Sequence, residues 1–271
     1  MKILGIGDNV VDFYKDLNLM FPGGNALNVA VFSKKYNAEK SSYIGVIGND
    51  KAGNHVLKSL EKEGVDASKI RKAYGQNGEA VVELNEENDR VFVSSNKNRS
   101  IQSQLKINFN EEDISFIKEH TLVHTSVYSF IENDLPLLNK TIDISFDFST
   151  NLNEDYLRKV CPFIKFGFFS GSNLTEQETV TLIDKAHSLG VENICITKGE
   201  KGAIFSSDKV YNQSAVAVET VDTLGAGDSF IARFLVEYYK GLEISQILKL
   251  AAESAAETCT YFGAFGNGIK K

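Results

Sequence analysis

The segment Asp222, Thr223, Leu224, Gly225, Ala226, Gly227, Asp228 runs directly into Ser229–Leu235, an amphipathic stretch with helical spacing. The first N–H groups of a helix have no internal partner. With nothing larger than a methyl at Gly225, Ala226 and Gly227, an anionic group can approach them closely. Asp228 then stands in the first turn, where the helix dipole favours its ionised form, beside whatever such an anion hole holds. A carboxylate in that position can take a proton from an attacking hydroxyl. The same residues also fit a helix-opening acid after a glycine turn, and the Asp222–Thr223 pair ahead of them weighs toward a site.

A second cluster, Gly23, Gly24, Asn25, Ala26, Leu27 and Asn28, also opens a helix with small residues, but with two amides and no cation. Amides suit neutral hydroxyls. Asn25 and Asn28, three apart, share a face and could direct donors and acceptors at a polyol while Gly24 lets it come close. An Asn-capped helix after a Pro22–Gly23 turn is the alternative. Asp8 and Asp12 follow the first strand and Asp147 ends a later one, at the sheet edge where open α/β folds carry ligands. Thr197 through Gly202 follow another strand and could line a nucleotide phosphate or simply form a turn. Asn173 and Glu176 fit equally a solvated helix start and a hydrated Mg²⁺ contact. His120 and His124 are four apart, but the helix is expected to end between them, which argues against zinc. His55 and His187 are expected at the surface.

These residues need elements to position them. Short β-branched runs at residues 3–7, 43–47, 122–125, 142–146 and 193–197 read as strands. Between them, residues 24–36, 53–63, 111–120, 175–189, 226–239 and 244–261 carry apolar residues at helical spacing. The alternation predicts an α/β fold over residues 1–271 as a single domain, with a mostly parallel sheet covered by helices on both faces. Residues 79–84 and 90–94, joined by a polar Asn85–Asp89 stretch, read instead as a hairpin; with residues 10–21 they suggest a small β lid over the sheet's C-terminal edge, formed from about 10–21 and 79–95.

Composition narrows the classes. The chain has 271 residues, 42% hydrophobic and 24% charged, with a net charge of −7 that argues against a nucleic-acid partner. No apolar run is long enough for a membrane span, and Asp8 interrupts the amino terminus before a signal-peptide core could form, so a cytoplasmic location is expected. Cys161, Cys195 and Cys259 lack metal or disulfide spacing and are expected as reduced core thiols. No Walker lysine motif occurs, and Gly5-Ile6-Gly7 lacks the third glycine of a dinucleotide fingerprint, which disfavours a P-loop NTPase, a nicotinamide dehydrogenase and a methyltransferase.

Taken together, Gly24 to Asn28 and Asp222 to Asp228 resemble the two signatures of the PfkB/ribokinase family of carbohydrate kinases. Gly7 to Asp12, Gly45 to Asp50, Asn173 with Glu176, Thr197-Lys198-Gly199 and Gly263-Ala264 extend the likeness over nearly the whole chain. The resemblance implies a ribokinase-like fold and ATP- and Mg²⁺-dependent phosphorylation of a sugar hydroxyl, and leaves a monovalent cation such as K⁺ open. Asp228 would be the base and Gly225, Ala226 and Gly227 the anion hole. Asp12, Gly24, Asn25 and Asn28 would hold the sugar; Thr197, Gly199, Gly202, Asp222 and Thr223 would face the nucleotide; Asn173 and Glu176 would meet the metal through water. Gly7 to Asp12, Gly23 to Val31, Asn88 to Phe92 and Phe146 to Ser149 are similar to the family's fructoselysine-phosphorylating branch. That likeness implies transfer to the 6-hydroxyl of a fructosamine, with Arg90 and Asp147 as further substrate contacts and Asp12 or Asp147 able to meet an ammonium. Another sugar kinase of fructokinase or ribokinase type, or a sugar or nucleotide sensor without catalysis, are the alternatives. Two departures stand out: Asp147 is not followed by the Asn and Arg of fructokinase-like relatives, and Arg233 replaces a usual Gly. Pairing of two copies through the lid is a further expectation.

Overall fold

The computed structural model describes residues 1–84, 90–96 and 99–271, apart from the side chains of Leu84 and Arg90. The described residues form two sheets. The larger has nine strands in the order Val210–Gln213, Ala203–Ser206, Asn193–Thr197, Phe166–Ser170, Asp143–Asp147, Leu122–Ser126, Lys2–Gly7, Lys40–Gly48 and Arg71–Ala73. Neighbours from Asn193–Thr197 through Arg71–Ala73 pair in parallel, and only the hairpin at the far edge is antiparallel.

Strand Lys2–Gly7 shows why the sheet is sandwiched. It is buried from Ile3 onward, and alternate side chains enter different cores. Ile3 packs with helices Asn25–Lys35, Lys51–Lys62, Ala226–Lys240 and Ile244–Thr258, while Leu4 and Ile6 pack with Glu111–Ile117, Glu154–Val160 and Glu176–Ser188. A strand buried on both faces is apolar throughout, as its sequence is. The chain leaves this strand toward Lys40–Gly48 on one side and later fills the other side, so a topological switch lies at the C-terminal ends of Lys2–Gly7, Leu122–Ser126 and Asp143–Asp147. Ligand crevices form at such a place.

Strand Asn193–Thr197 has the bounds the sequence predicts, and helix Glu111–Ile117 stops short of His120. Strand Phe166–Ser170 was not foreseen. Gly167 dilutes its strand pattern, and a methyl there would lie 3.2 Å from the Phe169 ring, so the glycine that obscures the element sits in a tightly packed place.

The second sheet has five strands in the order Ile269–Lys270, Leu19–Gly23, Val10–Tyr14, Glu79–Leu84 and Arg90–Ser95. Val10–Tyr14 runs antiparallel to Leu19–Gly23 and parallel to Glu79–Leu84, and the latter pairs antiparallel with Arg90–Ser95. The proposed connection Asn85–Asp89 lies outside the described residues.

Candidate active site

Helix Asn25–Lys35 begins where the backbone turns sharply at Gly24, with φ of 111°. A side chain at Gly24 would meet Asn9 Cα at 2.6 Å and the Asp8 carbonyl at 2.8 Å, so only glycine fits. Asp8 caps the helix from the end of the first strand. Its carboxylate accepts Asn25 N at 2.6 Å and Ala26 N at 3.3 Å, and the hydroxyls of Ser126 and Ser129 complete its shell at 2.9 and 3.0 Å. Asp8 therefore organises the crevice with both oxygens engaged.

The cap aims the first helical turn at two other carboxylates. Asn25 Nδ2 donates to Asp147 Oδ2 at 2.8 Å and to Asp228 Oδ1 at 2.7 Å, while Asn28 Nδ2 donates to Asp228 Oδ2 at 2.6 Å. One amide nitrogen thus bridges two acids from segments far apart in the chain. Burial is the main force raising the Asp147 carboxyl, reinforced by the charges of Asp228 and Asp8, to about 7. At neutral pH Asp147 is divided between its two protonation states.

His124 fixes the orientation of that amide. Its Nε2 lies 2.9 Å from Asn25 Oδ1 and its Nδ1 lies 2.9 Å from Ser145 Oγ. Full burial drives the ring down to about 3, so it is neutral. Since Asn25 Oδ1 can only accept, the proton sits on Nε2 and Ser145 donates to Nδ1. This pairing leaves the Asn25 NH₂ no choice but to face the acids. Sequence reasoning weighed His124 only as half of a zinc pair with His120; His120 instead bonds Ser42 and the Phe116 carbonyl. His55, expected at the surface, is buried, and His187 is half-buried against Val191 and Ser206.

Helix Ala226–Lys240 packs against Asn25–Lys35 and brings Asp228 to the amides. Gly225 precedes it with φ of 78°, and a methyl there would strike Ala264 at 2.5 Å. Ala226 N donates to the Thr223 carbonyl at 3.3 Å, and the next backbone bond runs from Ser229 N to the Gly225 carbonyl at 2.8 Å. Gly227 lies between these two bonds in the first turn, and a methyl there would touch nothing within 4 Å. Arg233 settles on the interface between the helices: its Nε is 3.0 Å from Glu237 Oε1 and its guanidinium sits 5.1 Å from the Tyr36 ring centre.

Beyond Gly227 opens a cavity of about 660 Å³. Thr197, Gly199, Gly202, Thr223, Ala226 and Gly227 line it, as expected of a nucleotide site, together with walls the sequence reading missed. Those are Ala215–Val218 and the face of helix Ile244–Thr258 that carries Ala252, Ala255 and Ala256. A run of alanines on one face of a late helix was the available signal. Cys259 borders this cavity half-buried, unlike the buried Cys161 and Cys195.

Asp222 and Asp12 are not in the lining of that cavity. Asp222 is buried behind the loop, where its carboxylate accepts Leu224 N at 3.0 Å, Gly263 N at 2.9 Å and the Tyr14 hydroxyl. It braces the loop ahead of Asp228. Asp12 is buried in the second sheet, its Oδ2 2.6 Å from where a methyl on Gly23 would lie. The Arg90 side chain lies outside the described residues. Asn173 and Glu176 are exposed at the head of helix Glu176–Ser188, and neighbouring Ser172 abuts the Gly199 turn. Lys198, between Thr197 and Gly199, turns inward to the Leu174 carbonyl and the Thr179 hydroxyl at 2.9 and 2.8 Å. Among the described residues no three His, Cys, Asp or Glu cluster as a metal cage, and no helix is long and apolar enough to cross a membrane.

The chain is similar to known proteins along nearly its whole length. The chain is 53% identical over 269 residues to the fructosamine kinase FrlD of Bacillus subtilis (strain 168), covering 99% of this chain and 94% of that protein. It is 34% identical over 269 residues to the fructoselysine 6-kinase of Escherichia coli (strain K12), covering 98% and all of it respectively. The fold superposes with a TM-score of 0.80 on a putative ribokinase II from E. coli solved in complex with ATP and Mg²⁺, at 20% identity and covering 97% of this chain and 94% of that one. The sequence pattern of the pfkB family of carbohydrate kinases matches residues 18–159 and 164–269. With both signature segments meeting at Asp228, the chain belongs to the pfkB family of carbohydrate kinases.

Proposed function

We propose that this protein is an ATP-dependent fructosamine 6-kinase, transferring the γ-phosphoryl group to the 6-hydroxyl of a fructosamine such as fructoselysine. The observation that carries the reading is Asp228 held by two amides beside an open helix N-terminus and a nucleotide-sized cavity. The likeness to a fructosamine kinase and a fructoselysine 6-kinase supports the acceptor class.

The sugar hydroxyl approaches Asp228 and gives it a proton as its oxygen bonds to the γ-phosphorus and the bond to the β-phosphate oxygen breaks. The transition state is loose, so positioning and charge neutralisation supply most of the acceleration. The Gly227 N–H group faces charge on the phosphoryl oxygens. Asn28 Oδ1, buried without a donor, can accept a sugar hydroxyl. Glu176 and Asn173, one carboxylate and one amide in water, suit an ion that keeps its hydration shell and would meet Mg²⁺ through water. Bound there with the nucleotide, Mg²⁺ neutralises phosphate charge. With ATP as donor the work is cytoplasmic.

The second sheet acts as a lid that limits water at the transfer site. Its strand Arg90–Ser95 presents Val91, Phe92 and Val93, all more than 45% exposed, along a sheet edge, and a second copy would cover them. A monomeric mass in solution would remove that pairing.

The deciding experiment is ADP release with ATP and Mg²⁺ in the presence of fructoselysine, fructose, ribose or fructose 6-phosphate. Preference for fructoselysine is expected, and preference for another sugar overturns the acceptor assignment. Asp228→Asn should lower kcat roughly 1,000-fold with the fold and ATP affinity retained.

A further inference from the structure

A second cavity, about 460 Å³, has Gly7, Asp8 and Ser129 in its lining. Asp8 links it to the transfer site, lining this cavity while it caps the helix that carries Asn25. Asp8 and Ser129 line the cavity and also hold the Asn25 helix, and the Tyr128 phenol in its wall is pushed up by burial and by the charges of Asp147, Asp8 and Asp228. The size falls within the range of small-molecule sites.

Its lining is divided. Val46, Leu105, Ile107 and Phe130 make apolar walls, and Phe130 adopts a φ of 56°, a costly backbone state for a bulky residue. Both charge signs gather around it: Lys106 and Lys159 on one hand, Glu132 on the other, with Asp134 within electrostatic reach of Lys106. Glu132 is steadied by the Tyr156 hydroxyl at 2.7 Å. Neighbouring cations Arg158 and Lys185 are neutralised by Glu154, whereas Lys106 and Lys159 have no carboxylate within ion-pair distance among the described residues. In a chain of net charge −7, two such lysines at one cavity mark a place for an anionic group.

We propose that this cavity binds the amino-acid substituent of the acceptor, its carboxylate meeting Lys106 and Lys159, its free ammonium meeting Glu132, and its alkyl chain lying along Leu105, Ile107 and Phe130. The inference rests on the fructosamine reading. If the reacting hydroxyl is at Asp228, the opposite end of the sugar, which carries the amine substituent, is directed past Asp8 into this space. A dianionic sugar phosphate fits it worse, because Glu132 faces the same volume.

The test compares wild type with Lys106→Glu, Lys159→Glu and Glu132→Gln on four acceptors: fructoselysine, its decarboxylated analogue, fructose and fructose 1-phosphate. In wild type, fructoselysine is expected to have the lowest KM. Each lysine variant should raise that KM roughly tenfold with kcat nearly unchanged and with no effect on the decarboxylated analogue, while Glu132→Gln should raise the KM of both amine-bearing acceptors. If wild type phosphorylates fructoselysine well and the lysine variants treat it like wild type, the subsite is wrong and the fructosamine reading stands. Turnover of fructose 1-phosphate in preference to fructoselysine overturns the subsite and its ligand class, and turnover of fructose alone overturns the fructosamine reading itself.

Discussion

The two sides of Asp228 are built on opposite principles. The side toward the larger cavity, where the nucleotide is proposed to bind, is lined largely by glycines and alanines, with Gly199, Ala226, Gly227, Ala252 and Ala255 giving room rather than contacts. The acceptor side is a lattice of polar side chains in which Asp8, Asn25, Asn28, His124, Asp147 and Asp228 each orient another. Room tolerates change in one residue at a time, whereas a lattice transmits it. Each hydrogen bond in the lattice also defines the donors and acceptors of its neighbours.

Asn25→Leu tests this most severely. It leaves Asp147 and Asp228 without their shared donor, and a loss of roughly 100-fold in kcat/KM for the sugar is expected with ATP affinity unchanged. Equal damage to both substrates would show that the lattice does not end at Asp228. Gly24→Ala should cost about 3 kcal/mol or more in unfolding free energy, because a strained backbone and two backbone clashes coincide, and chemical denaturation measures it.

Gly227→Ala is the counterpart on the roomy side. Its methyl meets no atom and alanine favours a helix, so the melting temperature should hold or rise while KM for ATP increases roughly tenfold. A fall in stability would break the contrast between the two glycines. Asp147→Asn gives the smallest effect and the sharpest sign. Because the folded-state value of Asp147 is raised to about 7, the native protein holds its proton through the window from about 4 to 7, and wild type loses stability as pH rises through it. The melting temperature of the variant relative to wild type should therefore shift upward between pH 5 and pH 8, and a flat difference would mean that Asp147 titrates normally.

The same contrast explains what could be read in advance. Gly225, Ala226 and Gly227 form a local motif whose function depends on what is missing from the side chains, so it is visible in seven consecutive residues. The alternation of apolar strands and amphipathic helices likewise predicts the parallel sheet, and its order brings Asp147 to the crevice. His124 could not be seen this way, since its partner Asn25 is 99 residues away and its spacing to His120 pointed to a different chemistry. Asp222 sits within a recognisable motif, yet its partners Tyr14 and Gly263 come from opposite ends of the chain and turn it away from the cavity. Phe166–Ser170 was hidden by Gly167, which sits tightly packed against the Phe169 ring.

That Asp222 knot has a consequence for how the molecule can be cut and recombined. Tyr14 belongs to the second sheet, Leu224 to the loop ahead of Asp228 and Gly263 to the turn after the last long helix, and one buried carboxylate ties all three. Grafting or deleting the second sheet would leave that acid short of a donor, at a cost of about 1–3 kcal/mol placed beside the loop ahead of Asp228. The second sheet is thus not an interchangeable module, and any displacement of strand Val10–Tyr14 pulls on the loop ahead of Asp228.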